Sequence, residues 1–237
     1  LTATATIIDD DVINVSVATS AAIVDESAGT VTFTLEIDKD ITGGDVTFTY
    51  DILGALTAGN TATVTNDFTV AAVTDVITFA DGTLAGATQT VVVSIVDDMV
   101  VEGDEFISMQ LSNLETTIPG VVVPTGLTFS VDEAETEITD NDAAVISIAD
   151  FTINESTSVA NVVVTTSSLI DRDVTVQLTT SEISVTEAED AGVDFATINV
   201  SVVIPAGMSS GSHMIAINND DIVEGDEDFN IAIGAPA

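Results

Sequence analysis

Residues 30–37, Thr-Val-Thr-Phe-Thr-Leu-Glu-Ile, alternate polar and apolar side chains, and residues 45–50, 91–96 and 161–165 repeat the pattern in Val, Thr, Phe and Ser. Alternation at that period sends successive side chains to opposite faces of an extended chain, so each stretch predicts a strand with one buried face. Clusters of Gly, Asn, Asp and Ser separate the stretches, and no run of ten residues carries helical periodicity. The chain is therefore expected to be all-β, with short strands closing into sandwiches whose inner faces pack together. The nine phenylalanines mostly follow this alternation and are expected in the core.

A long internal repeat organises the strands. Glu102-Gly-Asp-Glu105 recurs 122 residues later as Glu224-Gly-Asp-Glu227, each time after an apolar strand ending in two Asp or Asn residues and before a Phe. Asp25-Glu26-Ser returns as Asn154-Glu155-Ser, and Asp67-Phe68 as Asp194-Phe195, in the same order. Residues 5–11, Ala-Thr-Ile-Ile-Asp-Asp-Asp, match residues 136–142, Thr-Glu-Ile-Thr-Asp-Asn-Asp, at an offset of 131. These marks predict one domain over 12–142 and a second over 143–237, with almost no linker. They also set the repeat out of phase with the chain. Residues 1–11 read as a surplus last strand, and the second domain lacks its own.

Composition narrows what such domains do. Forty acidic side chains face only Lys39 and Arg172, for a formal charge of −38, yet 46% of residues are hydrophobic. Such apolar content supports a core rather than disorder. Folding packs like charges onto a compact surface, and bound cations relieve that cost. Two basic residues cannot neutralise a phosphate track, so nucleic acid is not an expected partner, nor is an anionic membrane surface. No stretch approaches the roughly 20 apolar residues of a membrane helix, so no membrane insertion is expected. There is no cysteine, which leaves metal as the available staple.

The repeated acids suit calcium, which takes six to eight oxygen ligands from carboxylates gathered by loops. A strand ending in Asp97-Asp98 sets carboxylates at a sheet edge, and the loop with Glu102 and Glu105 can fold back towards them. No stretch has the spacing of an EF-hand loop. Catalysis is not expected: His213 lies in a Ser/Gly-rich stretch that reads as a solvated turn, without a partner constellation. Sugar chemistry would want stacking surfaces, and the chain has one Tyr and no Trp. Lys39 and Arg172 each lie between two aspartates, as local charge compensation.

Taken together, the Glu near the first strand, the Asp-Phe pair, the Asp-Asp…Glu-Gly-Asp-Glu hairpin and the terminal Asp-Asn-Asp resemble the Calx-beta domain of sodium/calcium exchangers, integrin β4 and large adhesion proteins. The resemblance covers nearly the whole chain. It implies two immunoglobulin-like sandwiches in tandem, each of seven strands with a Ca2+ cluster at one tip. Carried over, it assigns Glu26, Asp67, Asp97, Asp98, Glu102, Glu105, Asp140 and Asp142 to the first domain's calcium. The second domain's set is Glu155, Asp194, Asp220, Glu224 and Glu227, with Asn219 standing where the first has Asp97.

These readings predict a calcium-binding structural or adhesive module, at the cell surface or outside it, and not an enzyme. The phase of the repeat predicts that residues 1–11 of one subunit complete the second domain of the next, giving a head-to-tail homopolymer in which Asp9, Asp10 and Asp11 close a calcium cluster in trans. Alternatives are a segment of a long calcium-rigidified adhesin array joined to adjacent repeats, a calcium-sensing regulatory module, and an adhesin with a cell-surface ligand.

Overall fold

A computed structural model describes every residue except 1, 6, 8, 57–59, 183–193, 220, 222–225 and 237. The strands of the first half are β1 (Ile13–Thr19), β2 (Ile23–Asp25), β3 (Thr30–Ile37), β4 (Val46–Leu53), β5 (Asn60–Thr61), β6 (Phe68–Val70), β7 (Thr74–Phe79), β8 (Ala87–Ile95), β9 (Val100–Val101), β10 (Glu105–Thr116), β11 (Leu127–Val131) and β12 (Glu133–Thr139). Those of the second are β13 (Ile146–Ile148), β14 (Val159–Thr166), β15 (Leu169–Ile170), β16 (Val174–Glu182), β17 (Asn199–Ile204), β18 (Ser210–Ala216) and β19 (Phe229–Ile233). Among the described residues the only helices are single 3-10 turns, Glu26–Ala28 and Glu155–Thr157. None is long and apolar enough to cross a membrane.

The chain forms two compact units, residues 1–98 with 103–141, and residues 99–102 with 142–237. In the first, one sheet runs β11-β1-β3-β8-β6 and the other β2-β12-β10-β4-β7, with β5 beside β10. Period-two alternation makes them face each other. Val31, Phe33, Leu35 and Ile37 of β3 point inwards, and Val46, Phe48, Tyr50 and Ile52 of β4 join them in one core. Phe48 meets the edge of Phe129 at 6.0 Å and 90°, a favoured aromatic geometry.

The second unit repeats the plan with sheets β13-β14-β18 and β17-β16-β19, and with β15 on β9. Ala160, Val162 and Val164 of β14 pack with Val176 and Leu178 of β16. Phe195 stacks on Phe229 with centroids 4.3 Å apart. Both units are immunoglobulin-like β-sandwiches, as the alternation implies.

Pairing registers align the units residue by residue. Val46 faces Phe79 and Val174 faces Ile204, which equates β4 with β16 and Tyr50 with Leu178. Leu111 faces Tyr50, and Ile233 faces Leu178, so β10 corresponds to β19 at an offset of 122. Phe229 therefore takes the place of Ile107, at the same offset as the Glu-Gly-Asp-Glu repeat.

Two expectations change in the fold. Phe151 is 43% exposed and outside the core; it precedes the Asn154 turn and belongs to no strand. His213 lies within β18 opposite Val162, not in a turn. The local glycine is a packing requirement, since a Cβ on Gly211 would fall 2.3 Å from the Val203 carbonyl oxygen. The described residues before Asp11 carry no ladder. A strand exists only by pairing, and none of them has a partner strand within the chain.

Candidate metal centre

The acids of residues 12–142 gather at one end of the first sandwich through strand register. β2 runs parallel to β12 with Asp25 opposite Thr139, so the next residues of each strand, Glu26 and Asp140, lie abreast. β10 begins at Glu105 opposite Ile138 of β12, at that same end. β8 and β6 deliver the remaining acids there. Phe68 faces Ile95, and Val96 N donates to the Asp67 carbonyl at 2.9 Å, just before Asp97 and Asp98.

Two groups of three carboxylates result. One ligand oxygen each from Glu26, Asp140 and Asp142 lies within 4.8 Å of the others, and the same holds for Asp67, Glu102 and Glu105. Glu26 is only 4% exposed, and its Oε1, like Asp142 Oδ2, is shielded from solvent. Burying carboxylates side by side is costly, because charges in a poorly polarisable setting repel strongly. A hard divalent cation reverses the sign of that interaction. Three carboxylates offer up to six oxygens, so either group fits a calcium ion whose shell is finished by carbonyls or water. Asp97 and Asp98 are exposed at the strand end and are in neither group.

Local turns hold these acids in place. Thr63 donates to Asp67 Oδ2 from its hydroxyl at 2.7 Å and also from its amide, while Asp67 N donates back to the Thr63 carbonyl at 3.1 Å. Asp25 caps the 3-10 turn that begins at Glu26: Ser27 N donates to Asp25 Oδ1 at 3.0 Å, and Asn141 Nδ2 donates to the same oxygen at 2.9 Å. The Ser27 hydroxyl, then Asn141, then the Ser27 amide hold the Asp25 carboxyl below its ordinary value of 3.8. Sequence reading passed over Thr63 and Asn141. A Thr four residues before an Asp is the signal for the first, since such side chains close turns on nearby backbone.

The second unit keeps part of this frame. Asn154 caps the turn at Glu155 as Asp25 does at Glu26, accepting from Ser156 N at 3.0 Å. The Asp194 carbonyl accepts from Asn218 N at 2.8 Å, matching Asp67 and Val96. Glu155 and Glu227 are exposed and Asp194 is half-buried. Asp220 and Glu224 lie outside the described residues. Asp9, Asp10 and Asp11 are exposed, and Asp11 lies 3.9 Å from Lys39 Nζ.

The architecture is thus a tandem of sandwiches with carboxylate clusters at one end of the first. The Calx-beta domain matches residues 9–142 and again residues 137–237. The chain belongs to the Calx-beta family, whose domains are calcium-binding modules, and carries two of them. Among solved structures it is similar to CBD12 from CALX1.2, at 20% identity over 94% of this chain and 80% of that one, with a TM-score of 0.37. It is also similar to the calcium binding domain CBD12 of CALX1.1, at 23% identity over 93% and 80%, TM-score 0.35. A third is the apo-form Calx CBD1 domain, at 22% identity over 56% and 100%, TM-score 0.38. No curated protein matches the chain.

Proposed function

We propose that this chain is a calcium-stiffened structural module of the cell exterior, joined head to tail to copies of itself and serving adhesion. The carrying observation is Glu26, buried at one tip with Asp140 and Asp142 within 4.8 Å. Calcium bound by Glu26, Asp140 and Asp142, and by Asp67, Glu102 and Glu105, turns a self-repelling tip into a cross-linked one. Asp97 and Asp98 extend the second set. In the second domain Glu155, Asp194, Asp220, Glu224 and Glu227 take the corresponding roles.

An exterior setting follows from the chemistry. Oxygen-only sites of this kind suit the calcium concentrations outside cells, where modules bind at about 10⁻⁴–10⁻³ M. The absence of cysteine leaves metal to do what disulfides do elsewhere.

Thermal unfolding with calcium, with magnesium and with chelator tests this reading. Calcium is expected to raise the unfolding temperature of the first domain in proportion to the logarithm of its concentration once the sites fill. An unfolding temperature indifferent to calcium sinks the reading. Affinity separates structure from sensing, because submicromolar binding points to a sensor.

A further inference from the structure

The two domains match position by position on one outer face. β3 and β14 each span eight residues after equivalent 3-10 turns, so Val159 stands where Thr30 does. Thr30 faces Ser94 of β8 and Val159 faces Ala216 of β18, which sets the neighbouring strands in the same frame. On the solvent side the first domain shows Thr30, Thr34 and Ser94, where the second shows Val159, Val163 and Ala216. Each change removes a hydroxyl. Val92 gives way to the larger Met214, which is 69% exposed. Glu36, the one charged residue on β3 or β8, gives way to Thr165.

Apolar side chains gathered on an exposed face, inside a polar rim, mark a surface that something covers. Val159 and Val163 are each 41% exposed, and Met214 lies diagonally between them, because its cross-strand partner is Asn161. β13, β14 and β18 contain no Asp, Glu, Lys or Arg, although the chain carries a charge of −38.

That charge selects the occupant. A basic partner is drawn to the acidic loops, whereas two copies of this chain repel each other there and can touch only where neither carries charge. The face also matches itself. Ser212 and Ala216 flank Met214 along β18 and leave a notch on either side of it, so a two-fold axis seats each Met214 against the other copy's small residues. The Asn161 amide both donates and accepts, and suits pairing with its own copy.

We infer that the outer face of β13-β14-β18 is a self-association surface, on which the second domains of two copies pack sheet against sheet about a two-fold axis. Three strands of up to eight residues make a face of roughly 400 Å2, from strand spacings of about 4.8 Å and a rise of about 3.3 Å per residue. Two such faces bury less than the roughly 1,200 Å2 of a stable complex. The contact is therefore weak and forms where copies are crowded. It needs no metal.

A chain without cysteine allows a direct test. Ser212→Cys puts one thiol on this face of the 237-residue protein, and Thr90→Cys puts one at the equivalent exposed position of the first domain. Each is oxidised with diamide in the presence of chelator, and its dimerisation rate is divided by the rate at which the same thiol reacts with iodoacetamide. Ser212→Cys is expected to cross-link several-fold faster than Thr90→Cys, and faster still in concentrated salt, where the Debye length falls from about 30 Å at 0.01 M to about 3 Å at 1 M. Adding Met214→Asp sets like charges against each other across the axis and is expected to slow the cross-link by about tenfold. Adding Val92→Asp, its counterpart in the first domain, is expected to leave the rate unchanged. Asn161→Asp gives a second charge on the same face with almost no change of shape, and circular dichroism checks that each variant folds. Equal rates for the two thiols, the result for a face that belongs to a different partner, overturn the inference. So does a Ser212→Cys rate unmoved by both Met214→Asp and Asn161→Asp. Calcium is chelated throughout, so the calcium reading and this inference fail independently.

Discussion

Glu26 and Glu155 begin equivalent 3-10 turns, each capped by the preceding side chain accepting from a serine amide at 3.0 Å, yet Glu26 is buried and Glu155 is exposed. Near-identical local structure thus carries one carboxylate that is costly without metal and one that is not.

Glu26→Gln should act oppositely with and without calcium. Two carboxylate charges about 5 Å apart repel by about 3 kcal/mol at an effective dielectric near 20. Removing one should stabilise the calcium-free first domain by about 1–3 kcal/mol and abolish most of the calcium-dependent gain. Glu155→Gln should shift the stability of the calcium-free chain by no more than about 0.5 kcal/mol, as for an ordinary surface site. Calorimetry with and without chelator measures both, and equal responses of the two variants would contradict the assignment.

Thr63→Val removes the hydroxyl that holds Asp67 Oδ2 at 2.7 Å. Hydrogen bonds to charged groups contribute about 1.5–3 kcal/mol, so the variant should be less stable by about that much. It should also bind calcium more weakly, because the Asp67 carboxylate keeps only the amide of residue 63 to hold it beside Glu105. Chemical denaturation and calcium titration of the same preparation read the two effects.

Tyr50 is the sole tyrosine, so phenolate absorbance reports one residue. Burial first, and the charge of Asp75 second, push its phenol above the ordinary 10.0. A folded value above the unfolded one means that the associated stability is intact below about pH 10 and is lost as pH rises through the folded value. Ionisation should lag that of free tyrosine until the first domain unfolds, and Tyr50→Phe should extend its alkaline limit.

Asp25 carries the opposite sign. Its hydrogen-bonded carboxyl titrates below 3.8, so its contribution is present above that value and fades as pH falls through the depressed one. Asn154 does the same capping without charge in the second domain. Asp25→Asn should therefore keep the turn and flatten the acid side of the first domain's stability profile. An acid limb unchanged from the parent protein would count against this role.

Strands were readable because their signal is local. The stretch at 30–37 coincides with β3, since a buried Val, Phe, Leu and Ile at alternate positions leave little choice of face. Which acids meet was less readable. Glu26 and Asp140 are more than a hundred residues apart and come together through the parallel register of β2 on β12, which no short window contains. Phe229 follows its Glu-Gly-Asp-Glu one residue later than Phe106 follows the first, and the ladder to β16 keeps the 122-residue offset of that motif, so Phe229 stands where Ile107 does. His213 was misread for a different reason. Gly211 and its serine neighbours have turn composition, but the glycine is there to let Val203 approach.

Lys39 and Arg172 each lie against an aspartate, at 3.9 Å from Asp11 and 3.1 Å from Asp171. The described surface therefore brings no spare positive charge to another molecule of the same kind, and the medium has to screen what the protein cannot. With a Debye length of about 30 Å at 0.01 M salt and about 3 Å at 1 M, dilute solution keeps such molecules far apart, while brine lets them crowd. Salinity thereby becomes a control on how densely this protein can be laid down on a surface.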